Sequence, residues 1–232
     1  MSLKNDVQLF MLHFAGGNVY SFQFLKPYLP VNFAFHPIEL PGRGKRINEE
    51  LLSTESNAVN DLLSQVLSQR NNQPYLIFGH SMGASLGLRV AKRLEELGDP
   101  PMRLIVSGNA GPGTKDHDRT RSAMSDDELK EELKALGGVS NEVLEHQEFF
   151  DFFAPIVRAD FRVLENSKHL DSSFKISSPI VAIMGNEEKT VEQIENWKNF
   201  TSNEFKFHIL QGNHFFINDH PSELMRIIYK LQ

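Results

Sequence analysis

Two strand-length runs, Tyr75–Phe78 and Ile180–Met184, are apolar at every position, with no alternation between an inward and an outward side. A strand that is apolar on both sides has to be covered on both sides, as in a parallel sheet layered between helices. Four more runs of strand length occur at Val7–Phe14, Phe33–Phe35, Leu104–Ser107 and Phe205–Leu210. Between them the apolar period lengthens to that of a helix. Val59, Leu62, Leu63, Val66 and Leu67 share one stripe, Leu86, Val90, Leu94 and Leu97 a second, and Leu224, Ile227, Ile228 and Leu231 a third, with Pro221 suited to a first turn. Alternating strands and helices predict an α/β chain with a mostly parallel central sheet flanked by helices.

The alternation lapses between about 119 and 168. Ser125 followed by Glu128 is a capping-box pattern, Leu129, Leu133 and Leu136 share a face, and Gly137-Gly138 is a stop signal. A second helical stretch begins near Ser140 and carries Phe149, Phe150, Phe152 and Phe153, which no single helix face can hold. No repeat or low-complexity linker divides the chain, so residues 1–232 are expected to form one domain with this stretch as its helical cap.

The absence of cysteine removes thiolate nucleophiles, cysteine zinc sites and redox switching from consideration. With 24 Lys plus Arg against 30 Asp plus Glu, the net charge is −6, and no basic block is longer than GRGKR. Nucleic acid is therefore not an expected partner. The opening MSLKNDVQLF lacks the pattern of a secretory leader, and no apolar run approaches the roughly 18 residues of a membrane span, so a cytoplasmic location without membrane contact is expected.

Chemistry enters with Gly79-His80-Ser81-Met82-Gly83, a G-x-S-x-G sequence that directly follows an apolar strand and directly precedes a small-residue helix. This is the strand–turn–helix setting of a nucleophile elbow, in which the serine hydroxyl stands above the sheet. A serine hydroxyl is a weak nucleophile at neutral pH; it needs a histidine base, and the histidine needs a carboxylate to fix its tautomer. In α/β-hydrolase order both follow the serine, on loops after late strands. Of nine histidines, His214 lies just past the last predicted strand and is the expected base. The loop after Ile180–Met184 reads Gly185-Asn186-Glu187-Glu188-Lys189, which offers Glu188 or Glu187 as the acid, with Asp160 and Asp219 as fallbacks. The oxyanion of an acyl-transfer intermediate needs two backbone N–H donors, and Met82 and Ala15, the latter in the early loop His13-Phe14-Ala15-Gly16-Gly17, are the expected pair.

Read in order, HFAGG, LPGRGKR, FGHSMGA, VSGNAGPG, DDELKEELKALGGVSNEVL, PIVRADF and GNHFFI resemble the type II thioesterases that accompany nonribosomal peptide and polyketide synthases, over essentially the whole chain. The resemblance implies an α/β-hydrolase fold with a helical lid. It also implies hydrolysis of acyl thioesters on the phosphopantetheine arm of carrier proteins, clearing misprimed units. It carries the nucleophile to Ser81, the base to His214, the oxyanion amides to Ala15 and Met82, and the acid to Glu188. The family usually has aspartate there, and its early loop more often reads PHAGG. No cofactor is implied beyond the phosphopantetheine that the substrate brings; the implied partners are acyl or peptidyl carrier protein domains, with the enzyme a monomer. A chain-releasing medium-chain fatty acyl thioesterase would share these motifs, a general carboxylesterase only the triad, and a non-catalytic acyl-binding relative neither Ser81 nor His214 by need. The densest basic cluster, Arg43, Lys45 and Arg46, is a candidate docking site for an acidic carrier protein, with Arg43 the more structural of the three.

Overall fold

The computed structural model describes residues 7–114, 120–167, 170 and 173–230. Six strands, β1 (Val7–Leu12), β2 (Phe33–Ile38), β3 (Tyr75–His80), β4 (Arg103–Ser107), β5 (Ile180–Gly185) and β6 (Phe205–Leu210), form one sheet in the order β2-β1-β3-β4-β5-β6. Every neighbouring pair is parallel. The helices are α1 (Glu55–Gln69), α2 (Met82–Glu96), α3 (Asp126–Leu136), α4 (Asn141–Glu145), α5 (Gln147–Glu165) and α6 (Pro221–Tyr229).

The non-alternating runs feed both sides of this sheet. Phe10 and Leu12 of β1, Tyr75 and Ile77 of β3, and Ile180, Ala182 and Met184 of β5 join the core beneath α1 and α2. The intervening Leu9, Met11, Leu76, Phe78, Val181 and Ile183 join a second core with Leu224, Met225 and Ile228 of α6. Each strand side chain in these cores leaves water almost completely, a gain of about 1.5–3 kcal/mol for a large aliphatic or aromatic group.

Some boundaries differ from the sequence reading for local reasons. β2 runs on to Ile38 through Pro37, because β2 is an edge strand paired only with β1 and so tolerates a residue without an N–H. β1 stops at Leu12, where the chain leaves the sheet for the turn of the early loop. The apolar stripe of α6 continues to Ile228; Leu231, like both limits of the cap at 119 and 168, lies outside the described residues.

The cap occupies the connection between β4 and β5. Ser125 closes a capping box with Glu128 at the start of α3, and Gly137, at φ 81°, ends that helix. α5 buries Phe150, Ala154, Val157 and Phe161 in a third apolar cluster with Leu129 and Leu133 of α3. Of its crowded phenylalanines, Phe149 and Phe152 face outward, at 49% and 63% exposure.

Register decides where chemistry can sit. Leu12 of β1 is level with Gly79, His80 with Ser107, and Gly185 with Leu210. The loops that leave β1, β3, β4, β5 and β6 therefore emerge together at the carboxyl edge of the sheet, where parallel α/β sheets place their ligands.

Candidate active site

Ser81 joins the end of β3 to the start of α2 at φ 55° and ψ −111°, and it is the one non-glycine residue with positive φ among the described residues. That conformation strains an L-residue by about 1–3 kcal/mol. The sharp turn is possible because its neighbours lack side chains: a Cβ on Gly79 would strike the Gly83 carbonyl, and one on Gly83 would strike the carbonyl of Leu12. The Ser81 N–H donates to the Ser107 carbonyl at 2.7 Å, and the Asn109 amide donates to the Ser81 carbonyl at 3.2 Å and to Ser85 Oγ at 3.1 Å. Both sides of the elbow are thus tied to β4 and its loop. Met82 is the first residue of α2, so its N–H has no acceptor within the helix and lies at the positive end of the helix dipole.

His214 follows β6, and its Nδ1 lies 2.7 Å from Oε2 of Glu188. The other oxygen of Glu188 accepts the Gly185 N–H at 2.8 Å, so the carboxylate is oriented from its own loop. Glu187, by contrast, is exposed and is held through its backbone N–H, which donates to the Gly212 carbonyl at 3.1 Å. Ser81, His214 and Glu188 line one cavity of about 200 Å³.

Among the described residues, His80, His13, His208 and His220 and the fallback acids Asp160 and Asp219 do not take the place of His214 or Glu188. His80 is fully buried with its ring 5.1 Å from that of His214 and its Nδ1 2.9 Å from Ser107 Oγ. Burial, reinforced by the His214 ring, pushes its pKa well below the usual histidine range. It forms a neutral wall behind His214. His13 Nδ1 lies 2.7 Å from the Phe14 carbonyl, and its Nε2 takes the Leu40 N–H at 3.1 Å. An acceptor on one side and a donor on the other define one neutral tautomer, and burial, then nearby Arg43, lower its pKa to about 4. His208 lies in β6 with its pKa lowered chiefly by burial, and His220 Nε2 pairs with the Gln211 carbonyl. Asp160 binds Arg43, and Asp219 makes no hydrogen bond to His214.

The early loop folds as a tight turn in which the Gly17 N–H donates to the Phe14 carbonyl at 2.8 Å and the Gly16 N–H to Asp160 Oδ2 at 2.7 Å. The Ala15 N–H donates to no acceptor among the described residues. This loop borders a second cavity of about 300 Å³, which Phe14, Gly16, Phe153 and Phe215 help to line, and Ala15 does not line the cavity of Ser81. Phe149, Phe150 and Phe152 line neither cavity.

The basic cluster divides. Arg43 is buried, with 2% of its surface exposed. Arg46, a candidate docking contact in the sequence, donates to both oxygens of Asp61, to both of Glu49 and to the Glu39 carbonyl. These carboxylates raise its pKa further above the ordinary arginine value. Lys45 alone of the three is exposed and makes no salt bridge among the described residues. The sequence reading missed Asn109 and the Asp160–Gly16 contact; neither leaves a local periodic signal. Among the described residues no group of acidic or histidine side chains could hold a metal ion, and no helix is long and apolar enough to cross a membrane.

A family model described as a thioesterase domain matches residues 7–231. A curated relative named linear gramicidin dehydrogenase LgrE, from Brevibacillus parabrevis, is 31% identical over 98% of this chain and 88% of its own length. The activity in that name is that protein's; the present sequence contains no G-x-G-x-x-G. The thioesterase RedJ, from the prodiginine pathway of Streptomyces coelicolor, superimposes with a TM-score of 0.89 at 31% identity, covering 98% of this chain and 91% of that one. The type II thioesterase BorB, from the borrelidin cluster, gives a TM-score of 0.87 at 30% identity, covering 97% and 92%.

Proposed function

The chain belongs to the thioesterase family and hydrolyses acyl thioesters on an α/β-hydrolase fold, and within that activity we propose that its substrates are acyl groups carried on the phosphopantetheine arm of carrier proteins in a peptide or polyketide synthase. On this reading Ser81 is the nucleophile, His214 the base and Glu188 the acid. The observation that carries it is the 2.7 Å contact between His214 Nδ1 and Glu188 in the cavity that also holds Ser81.

Ser81 Oγ attacks the thioester carbonyl while His214 Nε2 accepts its proton, and the carboxylate of Glu188 on Nδ1 fixes the tautomer and stabilises the imidazolium. The carbonyl oxygen becomes an oxyanion and receives the N–H groups of Ala15 and Met82. The tetrahedral intermediate collapses by breaking the C–S bond, and the departing sulfur takes the proton from His214. Water then attacks the acyl-enzyme with His214 again as base, and the carboxylic acid leaves with Ser81 restored. The chemistry uses only these side chains and amides; the phosphopantetheine arrives with the substrate. α3, α4 and α5 serve as the lid of one α/β-hydrolase domain.

The cavity, at about 200 Å³, supports compact acyl groups, and Met82, Leu136, Phe161 and Leu164 give it apolar wall as well as polar. Its lining also includes the Arg121–Glu132 ion pair at 2.8 Å and Glu187, Lys189 and Thr190. A long alkyl chain would exceed this volume.

The test is hydrolysis of one panel of acyl groups, from acetyl and aminoacyl to dodecanoyl, loaded on a carrier protein and on pantetheine alone. Higher kcat/KM on the carrier, concentrated in the short and aminoacyl members, is expected. A preference for dodecanoyl would instead make the protein a medium-chain releasing enzyme. Equal rates on all carriers and thiols would remove the carrier from the proposal.

A further inference from the structure

The fallback acid of the sequence reading, Asp160, is fully buried on α5 with both oxygens engaged. Arg43 Nη1 reaches Oδ2 at 2.5 Å and Nη2 reaches Oδ1 at 2.8 Å, a two-point ion pair between side chains 2% and 0% exposed. Oδ2 also accepts the Gly16 N–H at 2.7 Å. Phe153, Val157 and Asp160 form one stripe of α5, and all three meet the same residue: a Cβ on Gly16 would stand 2.6 Å from Phe153 Cζ and 2.7 Å from Val157 Cγ2. Gly16 itself sits at φ 77°.

We propose that Asp160 is a positioning residue for the oxyanion hole, taking the Gly16 N–H so that the Phe14–Gly17 turn holds the Ala15 N–H free for the developing oxyanion. The inference rests on the assignment of Ser81 and Ala15 made above. A turn built on Ala15-Gly16-Gly17 has many backbone conformations open to it, and an oxyanion hole works only when its donors are fixed beforehand. Three successive amides are sorted by partner: Gly17 donates within the turn, Gly16 to Asp160, and Ala15 to none among the described residues. A carboxylate acceptor makes a shorter and stronger bond to an amide than a neutral group does, and Arg43 makes its burial tolerable. Because Asp160 belongs to α5, the competence of the hole is coupled to the seating of the lid.

The experiment compares Asp160→Asn with the paired variant Arg43→Met plus Asp160→Leu, reading kcat and KM on an acyl-pantetheine, melting temperature, and affinity for a boronic acid that forms a tetrahedral adduct on serine. Asp160→Asn is expected to lower kcat by roughly 10²–10³ with KM within about two-fold, and to weaken the boronate in parallel. The paired variant, which leaves no buried charge, is expected to regain melting temperature without regaining kcat. Recovery of kcat together with stability would overturn the proposal and make the ion pair purely structural, as would a loss lying in KM or tracking the unfolded fraction of Asp160→Asn. Should the paired variant not fold, the kcat–KM split and boronate affinity of Asp160→Asn, normalised to folded protein by near-ultraviolet circular dichroism, decide alone. Ser81→Ala is run alongside. If it stays active, the reading of the site itself fails, whereas an inactive Ser81→Ala beside a fully active Asp160→Asn defeats only the positioning role.

Discussion

Glu188 holds His214 with one carboxylate oxygen and its own loop with the other, at 2.7 Å and 2.8 Å respectively. Its side chain is therefore fixed before it meets the imidazole.

That fixed geometry makes the two adjacent glutamates separable by kinetics. Glu188→Gln is expected to lower kcat by roughly 10³–10⁴, because an amide can favour the wrong imidazole tautomer. Glu187→Gln should stay within about three-fold of wild type, since its side chain is solvated. Glu188→Asp is expected to fall between them, as the shorter chain cannot span Gly185 N and His214 Nδ1 together. Single-turnover rates of the three variants settle the assignment, and a large loss at Glu187 would transfer the role to it.

At Ser81 two substitutions separate chemistry from backbone strain. Ser81→Ala and Ser81→Gly should both lose several orders of magnitude in kcat, as removal of the nucleophile requires. They should differ in stability, because glycine accepts φ 55° and alanine does not. Ser81→Gly is expected to melt about 2–4 °C above Ser81→Ala, corresponding to about 1 kcal/mol. Identical melting curves would mean that the elbow stores no strain.

His13 gives the fold a defined acid limit. Its folded pKa, about 4, lies below the unfolded value of 6.5, so the unfolded chain binds the extra proton first as pH falls. Its contribution is complete above the unfolded value and is lost as pH falls from there through the folded value, with a span on the order of 3 kcal/mol. Burial of the ring is the main cause, with nearby Arg43 adding to it; a second ring proton would also face the Leu40 N–H. Denaturant midpoints measured from pH 7 to pH 4 should fall more steeply for the wild type than for His13→Asn; parallel slopes would assign the acid sensitivity elsewhere.

Carrier docking should depend on Lys45 and not in the same way on Arg46. Lys45→Glu is expected to raise KM for acyl-carrier protein several-fold at low salt, to leave KM for acyl-pantetheine unchanged, and to lose its effect near 1 M salt, where the screening length is about 3 Å. Arg46→Glu breaks the contacts to Asp61 and Glu49 and should lower the melting temperature and affect both substrates together. A flat response to Lys45→Glu on the carrier would remove this loop from the docking surface.

The layered sheet, the strand–turn–helix setting of Ser81 and the strand-end positions of His214 and the Glu187–Glu188 pair could be read from the chain because each is written locally, as a period of apolar residues or as a motif at a strand end, whereas the choice of Glu188 over Glu187 rested on the family resemblance alone. The Arg43–Asp160 pair could not. Its partners are 117 residues apart, and an isolated arginine and aspartate have the same local appearance whether solvated or buried. The engagement of Arg46 was hidden for the same reason, since Asp61 lies on α1 and only the tertiary fold brings it across. The phenylalanines of α5 were legible as a conflict, not as a solution: sequence shows that two faces are needed, and packing decides that Phe150 goes inward while Phe149 and Phe152 do not.

The conformation of Ser81 also bears on how such a protein changes over generations. The position suits glycine, and a single base change from an AGU or AGC serine codon to glycine would relieve the turn while abolishing the hydroxyl. That substitution is expected to give a more stable chain that lacks the hydroxyl. Keeping serine at φ 55° therefore costs the fold stability that glycine would return.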